Sequence, residues 1–365
     1  EEAATAFLNG KQRMIWAGSG VLFSGATEAL SELAELTASP VFCTMPGKSA
    51  FDERHPLSLG AGSGTTTGPA HHWLTNSDVI LALGSSLTRS PYAQKINPGK
   101  TIIHNTNNPE DLNKDEAVDV GLVGDTRLTV EALIACIKEK TENRGSGDRH
   151  QIEAEVAAVR ATWMAEWSPI LNSDEEPISY YRVIQALNET LDAENSIVTH
   201  DAGAPRDSIV PFYTATTPHS YVGWGKTTHL GFGIPLMIGA KMAEPDKFCL
   251  NLMGDGAFGM SGTDIETAAR SGAAITTVLL NNSAMATYSG PTQGTIGAEA
   301  REQYGVSTMQ GDYGKIAEGM GAVGLHVNKT SELAPALKEA QRLNASGRTV
   351  LIDVRANVED RRSRF

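Results

Sequence analysis

The apolar run in LNLMGDGAFG (250–259) ends on Gly254, Asp255 and Gly256, and the run ITTVLLNN (275–282) ends on two asparagines. Asp255 and Asn282 stand 27 positions apart, with a helical pattern and a second strand between them. In a right-handed βαβ unit the two strands are parallel, so both C-terminal ends lie on one edge of the sheet. Open α/β sheets bind ligands on that edge. A carboxylate oxygen, an amide oxygen and a backbone carbonyl make an oxygen-only set that suits Mg2+ or Ca2+, with phosphate oxygens and water completing the shell. Gly254 and Gly256 leave room for a diphosphate to approach. SGTDIE (261–266) is read as opening the intervening helix, whose N-terminus favours anions. Alone, GDG reads equally well as a turn after a buried strand; GDG, 24 residues and then NN, with helix and strand between, is far more specific.

The elements that must position these residues follow from apolar periodicity. Strands are expected at 13–21 (running into a Gly-rich turn), 40–45, 79–85, 101–106 and 118–125, and helices at 26–37 and 126–140, the latter with an Asp-Thr cap and a basic end. Strands with little internal alternation, separated by helices, indicate a parallel sheet covered on both faces. The polar stretch 140–151 reads as a boundary, and 152–167 as a helix leading onward. A second α/β pattern starts near 177. It has strands at 196–201, 248–256, 275–282, 324–327 and 349–356, and helices around 235–243, 261–271, 312–321 and 331–343. The expected fold class is α/β with two doubly wound parallel-sheet domains: a central domain at 1–140, a linker with a helix at 141–176, and the Asp255-bearing domain at 177–365. The end ANVEDRRSRF (356–365) is read as a solvated terminus, the alternative being a flexible tail that closes over the site.

The GDG–NN segment resembles the diphosphate-binding domain of thiamine diphosphate enzymes, and in particular the acetolactate synthase (acetohydroxyacid synthase) large subunit family. The resemblance implies that Asp255, Asn282 and the Ala284 carbonyl hold Mg2+, and that Gly254, Gly256 and Ala257 lie against the cofactor. HDAGAPRDSI (200–209) is similar to the family's stretch that touches the diphosphate, which gives Gly203, Ala204 and Pro205 that role. GWGKTTHLGFGIPLMIGAK (223–241) is similar to the segment that grips the aminopyrimidine. There the Thr228 carbonyl would face the exocyclic amino group and Leu230 would be the bulky side chain under the bend of the cofactor. Met285, Ala286 and Thr287 would line it. Leu230 is otherwise a plain core leucine, and His229 is a candidate catalytic group or a satisfied structural histidine. Trp224 and Lys226 are candidates for a substrate entrance.

The first domain resembles the family's central domain through 44–70, 77–90 and 124–133. Branches of the family hold FAD there, or ADP, or relate to CoA, and others hold nothing. The Gly and Ser clusters near 62–68 and 84–90 would touch such a nucleotide, or are tight βα turns. The segment that in the family normally precedes these two domains, a pyrimidine-binding domain carrying the glutamate that protonates the ring nitrogen, has no counterpart here. The expectation is therefore a chain that anchors the cofactor but does not turn over alone. The missing domain would come from a longer form, which the non-Met start favours, or from a partner chain, in a homodimer or homotetramer.

What this implies is C–C bond cleavage or formation next to a carbonyl, on a 2-oxoacid or 2-hydroxyacyl substrate, acetolactate synthase-like. A 2-hydroxyacyl-CoA lyase, an oxalyl-CoA decarboxylase and a benzoylformate-type decarboxylase fit the same cofactor site. SAMATYSGPTQG (283–294) departs from the synthases, with Pro291 near the position where they carry a Trp. A non-catalytic cofactor-binding subunit is the competing class. An NAD-dependent dehydrogenase is disfavoured, because no strand-linked GxGxxG with a following acidic residue is present. The net charge of −13 argues against a nucleic-acid partner. No run of 18 apolar residues offers a membrane span, and the start lacks the pattern of a secretory signal. The three scattered cysteines fit a reducing, cytoplasmic setting.

Overall fold

The computed structural model describes residues 1–224, 229–284, 303–305 and 308–365. The chain forms two compact units. One comprises Glu1–Trp167, Thr214–Lys226 and Ser363–Phe365, and the other Ser168–Tyr213 and Thr227–Arg362. Both are parallel α/β sheets flanked by helices. Among the described residues no helix is long and apolar enough to cross a membrane.

The first unit holds β1 (Arg13–Ala17), β2 (Val41–Thr44), β3 (Ser58–Gly62), β4 (Val79–Leu83), β5 (Thr101–Thr106) and β6 (Val120–Val123), in the order β3-β2-β1-β4-β5-β6. Every pairing is parallel. This is a doubly wound order that reverses between β1 and β4. The apolar run of β4 is buried along its whole length, as a strand covered on both faces must be. Trp16, Phe42, Leu59, Trp73 and Ile80 pack in one core cluster. The helix Thr126–Lys140 starts where expected, with the Asp125 carboxylate accepting from Leu128 N and Lys138 and Lys140 in its last turn. The helix expected at 152–167 is longer, Arg149–Leu171.

The second unit holds β7 (Ser196–His200), β9 (Phe248–Gly254), β10 (Thr276–Asn281), β11 (Val323–Val327) and β12 (Val350–Arg355); the two-residue strand β8 (Tyr221–Val222) lies in the segment that belongs to the first unit. The order β11-β12-β10-β9-β7 is parallel throughout. The ends of β7, β9 and β10 are therefore neighbours on one edge: His200 is level with Leu252, and Gly254 with Leu280.

Three local expectations are corrected. The helix after GDG does not wait until 261, since one helix begins at Asp255 itself (Asp255–Ser261) and a second follows at Asp264–Ser271. The second helix carries Asp264 and Glu266 in its first turn, so its N-terminal dipole is already matched by acid side chains and offers no anion site. The end of the chain is not a loose solvated tail. Within the second unit Glu359 is 3% exposed. It accepts from Ser179 Oγ at 3.0 Å and from Arg361 Nε at 2.6 Å, and Arg361 also bonds Glu175.

Candidate cofactor and metal site

Asp255 directly follows β9 and opens the next helix, and it is 2% exposed. Its Oδ1 accepts from Gly256 N at 2.8 Å. Its Oδ2 is buried and has no hydrogen-bond partner among the described residues. Burial pushes its carboxyl above the usual carboxylate range, and the backbone amides of Gly256, Ser283 and Ala284 pull it back only in part. The last two amides belong to the chain just past β10, so the spacing of GDG and NN does bring the two strand ends together.

Asn282 is fixed in orientation from both sides. Its Nδ2 donates to the Tyr180 hydroxyl at 2.7 Å and its Oδ1 accepts from Ala284 N at 2.9 Å. An amide oxygen with one bond from its own loop keeps a lone pair for a further partner. The loop reverses because Ser283 takes a left-handed φ of 55°, unusual for a residue with a side chain and typical of functional edges. Behind it, Asn281 Nδ2 donates to Asp353 Oδ1 at 2.9 Å, tying the end of β10 to β12. Tyr180 is buried, and its hydroxyl is pushed up by burial and by the nearby Asp255 charge.

Among the described residues a Cβ on Gly254 would meet only Pro205 Cγ, at 3.9 Å. Gly203 has a φ of 83° and begins the helix Ala204–Phe212, with Pro205 in its first turn. Gly203, Ala204 and Pro205 thus flank the end of β7 beside the glycines of β9. Gly256 and Ala257 are buried in the first turn after Asp255.

Asp201, passed over in the sequence, organises the neighbouring segment. It is fully buried at the end of β7. Its Oδ1 accepts from Ala202 N (2.8 Å) and Gly231 N (2.9 Å), and its Oδ2 from Gly233 N (3.0 Å). It therefore pins the backbone at and beyond Gly231, whose φ is 88°, directly after half-buried Leu230 and exposed His229. Burial raises its carboxyl above the usual range, against those three amides. The readable signal was the same as for Asp255, an Asp directly after an apolar strand. Thr228, Met285, Ala286 and Thr287 lie outside the described residues, as does Lys226.

These residues fit a cation and a diphosphate. The orphaned buried oxygen of Asp255 would be stabilised by a positive charge, the Asn282 oxygen is held by the Ala284 amide, which also acts on the Asp255 carboxyl, and among the described residues only Pro205 approaches the space over Gly254. A second group of potential ligand atoms, from Asp312, His326 and Asp353, also converges. There, however, both Asp353 oxygens accept hydrogen bonds, from Asn281 and Tyr313 N, and Asp312 pairs with Lys315 at 2.8 Å.

At the edge of the first sheet, where the strand order reverses, a cavity of about 510 Å3 is lined by the turns after β1, β2, β4 and β5. Its glycines do not cradle a phosphate. Gly18 N and Gly20 N are engaged by Leu83 O (2.9 Å) and Gly84 O (2.8 Å). A Cβ on Gly18 would lie 2.3 Å from Gly84 O. The glycines allow two turns to pack backbone to backbone, and Gly84 of the 84–90 cluster takes part in that tight packing.

Comparison with known proteins agrees with this geometry. Residues 1–133 match the family described as thiamine pyrophosphate enzyme, central domain, and residues 201–354 match thiamine pyrophosphate enzyme, C-terminal TPP binding domain. The chain is 29% identical to a probable acetolactate synthase large subunit of Methanococcus aeolicus, over 93% of this chain and 58% of the relative. It is 26% identical to the acetolactate synthase isozyme 3 large subunit of Escherichia coli (strain K12), over 94% and 59%. It is 28% identical to the putative thiamine pyrophosphate-containing protein YdaP of Bacillus subtilis (strain 168), over 95% and 57%. The chain thus spans little more than half the length of these relatives. Two sheets in this order, the diphosphate-type edge on the second, and matches to both domains lead to one conclusion: the chain belongs to the thiamine pyrophosphate enzymes, as their central domain followed by their C-terminal TPP-binding domain.

Proposed function

We propose that the second unit holds thiamine diphosphate through a Mg2+ ion bound by Asp255, Asn282 and the Ala284 carbonyl, and that the whole protein makes or breaks a C–C bond next to a carbonyl of a 2-oxoacid, in the manner of an acetolactate synthase. The observation that carries the proposal is the buried Asp255 Oδ2 without a hydrogen-bond partner among the described residues. A carboxylate is kept charged in such a place when a cation completes it. Mg2+ fits an oxygen-only donor set that leaves positions for phosphate oxygens and water. The names of the relatives support the reaction class.

When bound, the cofactor supplies the electron sink that C–C chemistry beside a carbonyl needs. The chain's own part is positional. Asp255 and Asn282 anchor the metal, Tyr180 holds the Asn282 amide by its nitrogen and so leaves its oxygen for the metal, and Gly254 admits the phosphates. Asp201 fixes the backbone that carries Leu230 beside the ring system. A homodimer or homotetramer in a cytoplasmic setting, with the pyrimidine-binding domain supplied by a longer form or a partner chain, belongs to the same proposal. Its last part, a further domain supplied from elsewhere, is supported by the share of the relatives' length that this chain covers.

The test is calorimetric titration of thiamine diphosphate into the purified chain with Mg2+ and, separately, with EDTA. Binding is expected with Mg2+ and not with EDTA, and Asp255→Asn should weaken it at least about tenfold. Mg2+-dependent binding of undiminished strength in that variant would overturn the assignment.

A further inference from the structure

The cavity of the first unit has a chemistry opposite to that of a diphosphate site. Among the described residues that line it there is no Lys, Arg or His; its charged side chains are Asp111 and Asp125. The neighbouring cations are engaged elsewhere: Arg89 with Glu116 at 2.8 Å and Arg127 with Glu131 at 2.9 Å. Lys114 stands 3.6 Å from Asp111, on the carboxylate itself.

Several backbone amides at the cavity are already engaged. Besides Gly18 and Gly20, the amide of Gly47 is held by Thr44 Oγ1 (3.1 Å), that of Gly84 by Asn105 O (3.1 Å) and that of Leu87 by Ser85 Oγ (3.3 Å). The helix that begins at Thr126 faces the cavity with its N-terminus already capped by the Asp125 carboxylate. A diphosphate placed here would meet two carboxylates and, among the described lining residues, no cationic side chain, and like charges repel.

The uncharged features of the cavity do suit a ligand. Trp16 and Phe42 form an edge-to-face pair with centroids 4.8 Å apart at its buried end. Tyr92, 37% exposed, stands at its mouth. A carboxylate lining a pocket at the switch point of a doubly wound sheet accepts ribose-type hydroxyls. We propose that this cavity binds an uncharged aromatic ligand bearing hydroxyl groups, of nucleoside type, and rejects the phosphorylated forms of the same ring systems. The FAD or ADP that the family resemblance allows in this domain therefore does not fit this chain.

The experiment is calorimetric titration of the purified chain with adenosine, riboflavin, ADP and FAD, in EDTA so that no metal can draw phosphates to Asp255. At least one of the two uncharged compounds should bind at least about tenfold more tightly than both ADP and FAD. In an Asp111→Asn, Asp125→Asn double variant, where the new amide at the second position still caps the helix, ADP affinity should rise by about threefold or more, because two repelling charges are gone. FAD or ADP binding more tightly than both uncharged compounds would overturn the proposal. Absence of binding by adenosine and riboflavin would overturn it too, as would ADP affinity unmoved in the double variant. None of these outcomes depends on thiamine diphosphate binding at the second unit.

Discussion

Asp255 is an acid held where an unaccompanied charge is unwelcome, so replacing it by Asn should stabilise the metal-free chain. The residue is 2% exposed, one oxygen is bonded to Gly256 N, and the other has no hydrogen-bond partner among the described residues. A buried polar group left unpaired costs about 1–3 kcal/mol, and more when it is charged. The Asp255→Asn side chain would keep the bond from Gly256 N and remove the charge, while leaving one unpaired amide group. A gain of about 2 kcal/mol is the expected result. For a unit of this size that is a rise in Tm of about 4–8 °C. With Mg2+ and thiamine diphosphate at 100 times the parent's dissociation constant the parent should gain about 2.7 kcal/mol from binding, and a variant weakened about tenfold about 1.4 kcal/mol. The variant's lead thus narrows to about 0.7 kcal/mol on adding ligand, and further if binding is weakened more.

The effect also has a pH signature. Burial raises the Asp255 carboxyl above its ordinary value of 3.8. Between the unfolded and the folded pKa the folded chain holds more protons, so stability falls as pH rises through that interval. The favourable contribution of the protonated acid is complete below about pH 3.8 and lost above the folded pKa. Asp201 and Asp353 are raised too, but they remain in both proteins and cancel in the difference. Urea denaturation in EDTA at a series of pH values should show parent and variant alike at the acid end and the variant ahead at neutral pH. A variant less stable than the parent in EDTA at neutral pH would refute the reasoning, because Asp255 would then be satisfied by the fold itself.

Two further outcomes follow from the same structure. Tyr180→Phe removes the partner of Asn282 Nδ2, so it should cost about 1 kcal/mol of stability in urea denaturation. It should also weaken Mg2+-dependent thiamine diphosphate binding several-fold by calorimetry; binding at full strength would show that the Asn282 amide needs no such hold. Burial pushes the Cys43 and Cys249 thiols up to about 12 and about 11, while Cys136 is partly exposed. One thiol per chain should therefore react quickly with a thiol reagent at pH 8, the other two only on unfolding, and labelling followed by peptide mass analysis should place the fast site at Cys136.

Much of this was legible because the strands are apolar runs of ordinary length between capped helices. Val79–Leu83 and Thr126–Lys140 fall where the pattern put them. What escaped did so for physical reasons. The strand Ser58–Gly62 reads SLGAG, a sequence with almost no apolar mass, because its neighbours press on it: a Cβ on Gly62 would lie 2.6 Å from Thr66 Oγ1 and 3.0 Å from the Phe42 ring. The helix Ala204–Phe212 escaped because all nine residues are buried, so it has no polar face to set a period, and two prolines disguise it. The part of Tyr180 could not be read at all. It meets Asn282 across 102 positions, and nothing local in either residue announces the other. Asp201 could have been found, since it ends its strand as Asp255 does.

The two sheets show why a glycine-rich turn at a strand end does not identify a phosphate site. After β1 and β4 the glycines sit so close that Gly18 and Gly20 each press on Gly84, and the amides that could have met an anion are bonded to the opposite turn. After β9, among the described residues, the glycine has only Pro205 within 4 Å of a would-be side chain, and the acid next to it keeps an oxygen with no hydrogen-bond partner. Residue type and sheet position are the same in both cases. The difference lies in whether the fold has already filled the space and satisfied the donors, so the unsatisfied edge, in the second unit, is the one that suits the proposed metal and diphosphate.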